Sequence, residues 1–300
     1  MDWARILAYN WLQRLRSFWV LLTLAAFAVL VSVTLVTAAF IYTEVQAEAG
    51  LKHTLASTSE TSMHTQIITQ DRPLRPADYD KLRVSIEEEI TEEVGWLRRS
   101  QQRLGRSQWL PFVSQPTDRL TFNSPVAFFN FRTGFDENTQ VVAGRRPQVV
   151  PMNASGLELE VTVGANAART MGWEVGSTIY VIPFFDSPSE QLIVHVVGLV
   201  EPTDPQDIYW LGDTSDFSTA LVNDSVLVQL HLSEEAFFQQ LGSTYPFFTG
   251  SYWWLVFLDT ELLTPGSVQS TLSQLERLEA DINKQFRRSL VITGLDALLV

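Results

Sequence analysis

Cysteine is absent from the 300-residue chain. That excludes disulfide stapling and thiolate metal sites, although it fixes no compartment, because many extracytoplasmic bacterial domains also lack disulfides. Lysine is almost absent too. Only Lys52, Lys81 and Lys284 occur, none in the glycine-rich setting where an ammonium meets nucleotide phosphates, so the chain has no phosphate loop of its own. Histidine is limited to His53, His64, His195 and His231, with no i, i+4 pair of the kind that holds zinc on a helix. His195 lies inside an apolar run and reads as a satisfied sheet-face side chain. A Gly-x-Ser-x-Gly elbow is also missing, and no catalytic, cofactor-binding or metal-ligating residue is expected.

Positive charge is in deficit: 21 Lys and Arg stand against 34 Asp and Glu, a net charge of −13. Three of those basic residues and one acidic one precede residue 44, which leaves 18 against 33, or −15, for the remainder. Such a surface suits neither nucleic acid nor anionic lipid.

Apolar residues, by contrast, make up 46% of the chain. Residues 17–43, "SFWVLLTLAAFAVLVSVTLVTAAFIYT", carry no charge over 27 positions, more than the roughly 20 that a helix needs to cross a hydrocarbon core. We expect a transmembrane helix there. Arg5, Arg14 and Arg16 precede it against a single Asp2, and Glu44 and Glu48 follow, so the positive-inside rule places the N-terminus in the cytosol and the rest outside. A cleaved signal peptide is the rival reading, helped by the small-residue triplet Ala47-Glu48-Ala49, but the apolar core of such a peptide is normally only about 7–15 residues, which favours an anchor. Within residues 1–16, Trp3, Ile6, Leu7 and Trp11 recur at near-helical spacing, which predicts an amphipathic helix in the inner interface before the span, the alternative being a helix that continues the span into the cytosol.

The outer part, residues 44–289, reads as an α+β domain on that anchor, entered through a polar stalk, "AEAGLKHTLASTSETS". A first strand is expected at 63–69. Tyr79, Leu82, Ile86, Ile90, Val94 and Leu97 then recur at spacings of three and four, predicting a helix over 76–99 with Pro76 in its first turn and Glu87–Glu93 as its solvated face. Strands are expected at 120–122 and 126–132. A strand, helix, strand, strand unit follows: 157–163, the Ala-rich 165–171 with Gly172 as its left-handed cap, 177–182 and 192–200. Trp173 and Val175 are expected to pin the turn between helix and strand into the core. Farther on, Ser233 caps "EEAFFQQL", 252–258 ("YWWLVFL") is a central strand, and a last helix starts at Thr264, with Val268, Leu272, Leu275, Leu278, Ile282 and Phe286 as its buried stripe. Two N-glycosylation patterns, at Asn153 and Asn223, read as chance occurrences. The aromatic stretch 244–257, with "DIYWLGDTSDF" upstream, is the main binding candidate, although such residues also build cores.

The run "EVTVGANAARTMGWEVGSTIYVIPF…LIVHVVGLVEPTDPQDIYW" resembles the MacB-like periplasmic core domain of FtsX-type ABC transporter permeases. The matching positions are Gly172, Val175, Gly176, Ser177, Val197, Gly198, Val200 and Glu201, and Gly144-Arg145-Arg146-Pro147 looks like the turn that precedes them in relatives. The resemblance implies a non-enzymatic permease subunit working with a cytosolic ABC ATPase dimer, paired with a second permease chain, and handling an extracytoplasmic protein, peptide or lipophilic substrate. It also implies further spans, so residues 290–300 are expected to approach a second one, and the sequence to be the N-terminal portion of a longer protein. The competing readings are the ligand-sensing outer domain of a membrane receptor, an anchored accessory binding subunit and, last, a signal-anchored enzyme.

Overall fold

The computed structural model describes residues 3–58, 63–150, 157–185, 187 and 190–295, with the backbone alone for 3–17. It divides into two units. The first comprises the helix α1 (Trp3–Ser57) and the short segment Thr264–Gly266. From Phe18 onward it contains an apolar window of mean hydropathy 2.5, long and apolar enough to cross a membrane. The backbone continues as helix through residues 16 and 43, so the amphipathic segment and the span form one rod, and most of the expected stalk is helical. Ala47, Ala49, Leu51 and Leu55 favour helix there, and Lys52 pairs with Glu48 at i, i+4 (2.7 Å).

The second unit is a mixed α+β domain, as its alternating strand and helix patterns predict. Its outer half is an antiparallel sheet in the order β12 (Ser289–Thr293), β1 (His64–Pro73), β11 (Thr249–Leu258), β2 (Arg98–Ser107). Strand β1 buries every second residue, Thr65, Ile67 and Thr69. Helix α2 (Pro76–Val94) and helix α5 (Val268–Gln285) pack together, joined by Arg277–Glu93 (3.0 Å) and by Ser85 Oγ donating to Gln285 Oε1 (2.9 Å). The acidic face of α2 is thus only partly solvated: Glu93 retains 12% of its side-chain exposure because it faces α5. Tyr79 of α2 stacks on Phe238 at 4.0 Å and lies 4.9 Å from Tyr252 of β11, placing α2 over that face of the sheet.

The other half is a ring of pairings: β4 (Val126–Arg132), β3 (Leu110–Val113), β7 (Thr178–Val181), β8 (Leu192–Pro202), β6 (Glu158–Gly164), β10 (Ser225–His231) and back to β4. The parallel pair β6 and β8 is rich in Val, Ile and Leu and supplies Leu159, Val161, Val163, Val194 and Val196 to the core. Strand β9 (Ala220–Val222) edges β10, and β5 (Thr139–Gly144), after the one-turn helix α3 (Phe135–Asn138), pairs with β8. Strand β4 belongs to both halves: Asn130 faces Arg106 of β2 on one side and His231 of β10 on the other.

The predicted unit 157–200 forms as β6, α4 (Ala165–Met171), β7 and β8, and Gly172 adopts φ 69° at the helix end. Trp173 is buried against Phe112 (5.5 Å between rings), whereas Val175 remains 44% exposed and covers Gly144 instead. Ser233 caps its turn by accepting a bond from Ala236 N–H (3.1 Å), but the helix that follows is a π-helix, Ala236–Gly242. Helix α5 begins at Val268 rather than Thr264, and Phe286 terminates it. Residues 120–122 are turn, not strand, because the run between Gln115 and Ser124 closes on itself through Asp118 and Ser124 side-chain bonds. Residues 289–293 are a sheet strand paired with β1, so the segment expected to approach a second span is ordered domain as far as Thr293. Residues 296–300 and Asn153 lie outside the described residues.

Candidate functional site

The residues carrying the family-like pattern meet at one place. Gly144 of β5 faces Gly198 of β8, and Arg145 N–H donates to Val197 O (2.9 Å). A Cβ on Gly198 would stand 2.1 Å from Arg145 O, and one on Gly144 2.2 Å from Val197 O, so the two backbones touch only because neither residue has a side chain. On the flank, Gly176 N–H donates to Val196 O (2.8 Å), Val196 N–H donates to Ser177 O (2.9 Å), and Ser177 Oγ accepts from Glu174 N–H (2.9 Å). Arg145 forks onto Glu160, and Arg146 bonds Thr139 and Asp136, which fixes the turn from both ends. With every strong group already engaged in backbone and ion-pair contacts, this knot is structural. His195 is likewise satisfied, between Thr178 Oγ1 (3.1 Å) and Glu158 (3.2 Å).

The site with open chemistry lies elsewhere, on the face of β2, β4 and β10 opposite α2. Alternation sends Arg103 and Gly105 of β2 and Phe131 of β4 toward α2, where Arg103 bonds Glu234 at 2.9 Å and Phe131 packs on Tyr79 and Phe237. Gln102, Leu104 and Arg106, then Phe128, Asn130 and Arg132, then Gln229 and His231 take the other face. The segment 203–219 folds over it. Its Tyr209, Trp210 and Phe217 form an aromatic cluster with Phe135 and Val200. Asp207 caps the first turn of that segment by accepting from Tyr209 N–H (2.8 Å), and Tyr209 Oη donates to Thr133 O (3.0 Å). Leu211 then takes the left-handed conformation (φ 53°), a strained choice for a branched side chain and one that often marks a functional loop.

Beneath this segment a polar string crosses three strands. Arg106 donates to Gln229 Oε1 (3.2 Å) and Asp216 (3.3 Å), Gln229 Nε2 donates to Asp216 (2.5 Å), and Asn130 Nδ2 donates to Gln229 Oε1 (2.7 Å). His231 Nε2–H faces Asp216 O (3.4 Å) while its ring stacks on Phe135 at 4.4 Å. Burial pushes His231 down to about 4; Asp216 opposes the shift, and Arg106 and Arg132 reinforce it. Arg132 donates through Nε and Nη2 to Gln102 Oε1 (3.2 and 3.1 Å) and through Nη2 to Tyr209 O, and its guanidinium lies 4.3 and 4.9 Å from the Tyr209 and Trp210 ring centroids. Burial also lowers the Arg132 pKa, with Tyr209 the main opposing group.

Where the covering segment stops short of β1 and β11, a groove of about 410 Å³ remains, with Arg132, Arg106, Trp210, Leu211, Trp253 and Leu255 among its walls. Among the described residues, Asn130 Oδ1, an acceptor, and Trp210 Nε1, a donor, are buried atoms of this wall with no hydrogen-bond partner. Each such atom costs about 1–3 kcal/mol if nothing meets it. No family model matches the chain, and no curated protein matches it. Among solved structures it aligns with the periplasmic region of MacB from Actinobacillus actinomycetemcomitans, at 14% identity over 78% of this chain and 90% of that one, with a TM-score of 0.38.

Both aromatic stretches singled out in the sequence reach this groove, Trp210 from one and Trp253 from the other. Their neighbours divide by strand alternation: Tyr252 and Trp254 are core, at 1% and 0% exposure, on the face covered by α2. Sequence reasoning missed the charged members, Arg106 and Arg132, because β2 ("RRSQQRLGRS") carries no apolar alternation. Strand β10, which supplies Gln229 and His231, is marked in the sequence only by the alternation of Val226, Val228 and Leu230. Among the described residues, no group of three or more His, Asp or Glu is placed to hold a metal ion.

Proposed function

We propose that this chain is the N-terminal portion of a permease subunit of an ABC transporter, with a cytosolic N-terminus, a membrane-crossing α1 and an extracytoplasmic domain that receives ATPase-driven motion. The observation that carries this reading is the knot around Gly144 and Gly198. Segments that resemble the MacB-like core of FtsX-type permeases each carry a residue type with a physical task here: Gly144 and Gly198 for backbone contact, Ser177 as a turn acceptor on the flank, and Gly172 for the left-handed helix end. A rigid join of this kind lets the β5–β8 ladder pass a displacement on as a unit. The subunit itself performs no chemistry in this reading. A separate cytosolic ATPase dimer hydrolyses ATP, and a second permease chain completes the assembly.

The test is purification of the native protein from its source membranes with an antibody to the outer domain. Co-isolation of a phosphate-loop ATPase, and nucleotide hydrolysis by the isolated complex, is the expected result. Recovery of the chain from gently solubilised membranes with no ATPase subunit would overturn the proposal.

A further inference from the structure

We infer that the groove between the segment 203–219 and strands β1 and β11 binds a small monocarboxylic acid with an apolar body, its carboxylate held by Arg132. This goes beyond the transport reading and stands or falls separately from it. Arg132 is a half-buried cation with no carboxylate within ion-pair distance among the described residues, unlike Arg106, which has Asp216, and Arg103, which has Glu234. Its Nε and Nη2 are used on neutral acceptors, Gln102 Oε1 and Tyr209 O. Among the described residues Nη1 takes no part in these bonds, and Arg132 belongs to the groove wall.

A purely structural arginine would explain the Nε and Nη2 contacts, because they tie β4 to β2 and to the covering segment. It leaves the guanidinium charge without a carboxylate among the described residues. A guanidinium edge in a water-poor setting favours a carboxylate oxygen strongly, since charge-assisted bonds are shorter and stronger than neutral ones. The rings of Tyr209 and Trp210 hold the guanidinium plane in place, so little side-chain freedom is lost when an anion arrives. The Trp210 ring centroid lies 4.9 Å from the guanidinium carbon and Trp210 also lines the groove. Trp253, Leu255 and Leu211 supply the apolar wall, and about 410 Å³ accommodates a body of amino-acid to dipeptide size.

Titration calorimetry of the full chain in detergent micelles at pH 7 tests this with two probes, N-acetyl-L-leucine and its uncharged counterpart N-acetyl-L-leucinamide. The acid should bind at least tenfold more tightly than the amide. Arg132→Gln should abolish that difference, and Trp253→Ala should weaken both probes to a similar extent. Because Arg132 also holds the covering segment, Asp213→Asn provides a variant that leaves those bonds intact. Removing the nearby negative charge of Asp213 should tighten binding of the acid severalfold and leave the amide unchanged. Equal binding of acid and amide, no binding of either at millimolar concentration, or an acid preference that survives Arg132→Gln would each overturn the inference.

Discussion

Replacing Gly198 by Ala is the sharpest test of the β5–β8 knot. The new Cβ would sit 2.1 Å from Arg145 O, a backbone atom that cannot rotate aside, and 3.1 Å from the Thr162 methyl group. Restoring an ordinary contact requires the Gly144–Pro147 turn to move outward by roughly 1 Å. That breaks the Arg145 N–H to Val197 O bond and the Gly144–Gly198 pairing, worth about 1 kcal/mol each, and loosens the packing of Val175 over the turn. The summed cost is about 3 kcal/mol, which for a domain of this size lowers the melting temperature by about 6–12 °C. Gly172→Ala is the matched control. Nothing lies within 4 Å of its Cβ position, so only the left-handed φ of 69° opposes the change, at about 1 kcal/mol and about 2–4 °C. Thermal unfolding followed by near-ultraviolet circular dichroism of the micelle-bound chain separates the two. If Gly198→Ala melts no lower than Gly172→Ala, the close approach of the two backbones is not what holds the knot.

Two further outcomes follow from burial. His231 is held neutral in the fold at about 4 against an unfolded value of 6.5, so the unfolded chain binds the proton first, and stability falls as pH drops from about 6.5 to about 4. That single group accounts for about 3 kcal/mol over the window; denaturant titrations at pH 7 and pH 5 should show His231→Phe losing less stability on acidification than the parent, and parallel losses would refute the assignment. At the 245–248 turn, Phe248 is 3% exposed and stacks on Tyr245 (4.7 Å), whereas Phe247 is 80% exposed. Phe248→Ala should therefore cost about 3–4 kcal/mol and Phe247→Ala under about 0.5 kcal/mol in the same titrations.

The legible parts of the sequence were those where one physical signal dominates. Helix α2 announced itself through apolar spacing and Pro76, and the β6–α4–β7–β8 unit through Val-rich runs closed by Gly172 and Gly176. The charge-free segment before residue 44 was equally plain, but nothing in the residues after it marked where the helix would stop, since Ala, Glu, Leu and Lys favour helix as readily in a stalk as in a span. Strand β2 was invisible for a different reason. Its two faces are both polar, Arg103 meeting Glu234 behind the sheet and Arg106 meeting Asp216 in front, so period two is carried by partners rather than by hydrophobicity. The groove followed β2 into obscurity, because no local pattern links residues 102–106, 128–132, 207–216 and 229–231.

Those four segments also explain why the polar string persists at the centre of a sheet. Aliphatic side chains at Asn130, Gln229 and His231 would give an equally buried surface with no fixed register, on which the segment 203–219 could settle in several ways. The chain of bonds from Arg106 through Gln229 to Asp216 admits one arrangement, because each donor on β2, β4 and β10 needs its acceptor at a set position along the segment. Away from the groove this string is closed: Gln229 uses both its oxygen and its nitrogen, and Asp216 accepts from two residues. Beside it, Arg132 lends the groove wall a guanidinium that pairs with no carboxylate among the described residues. At the groove, the Arg132 guanidinium with no carboxylate beside it, held under the Tyr209 and Trp210 rings next to the strained Leu211, is the arrangement expected when the missing partner is an anion.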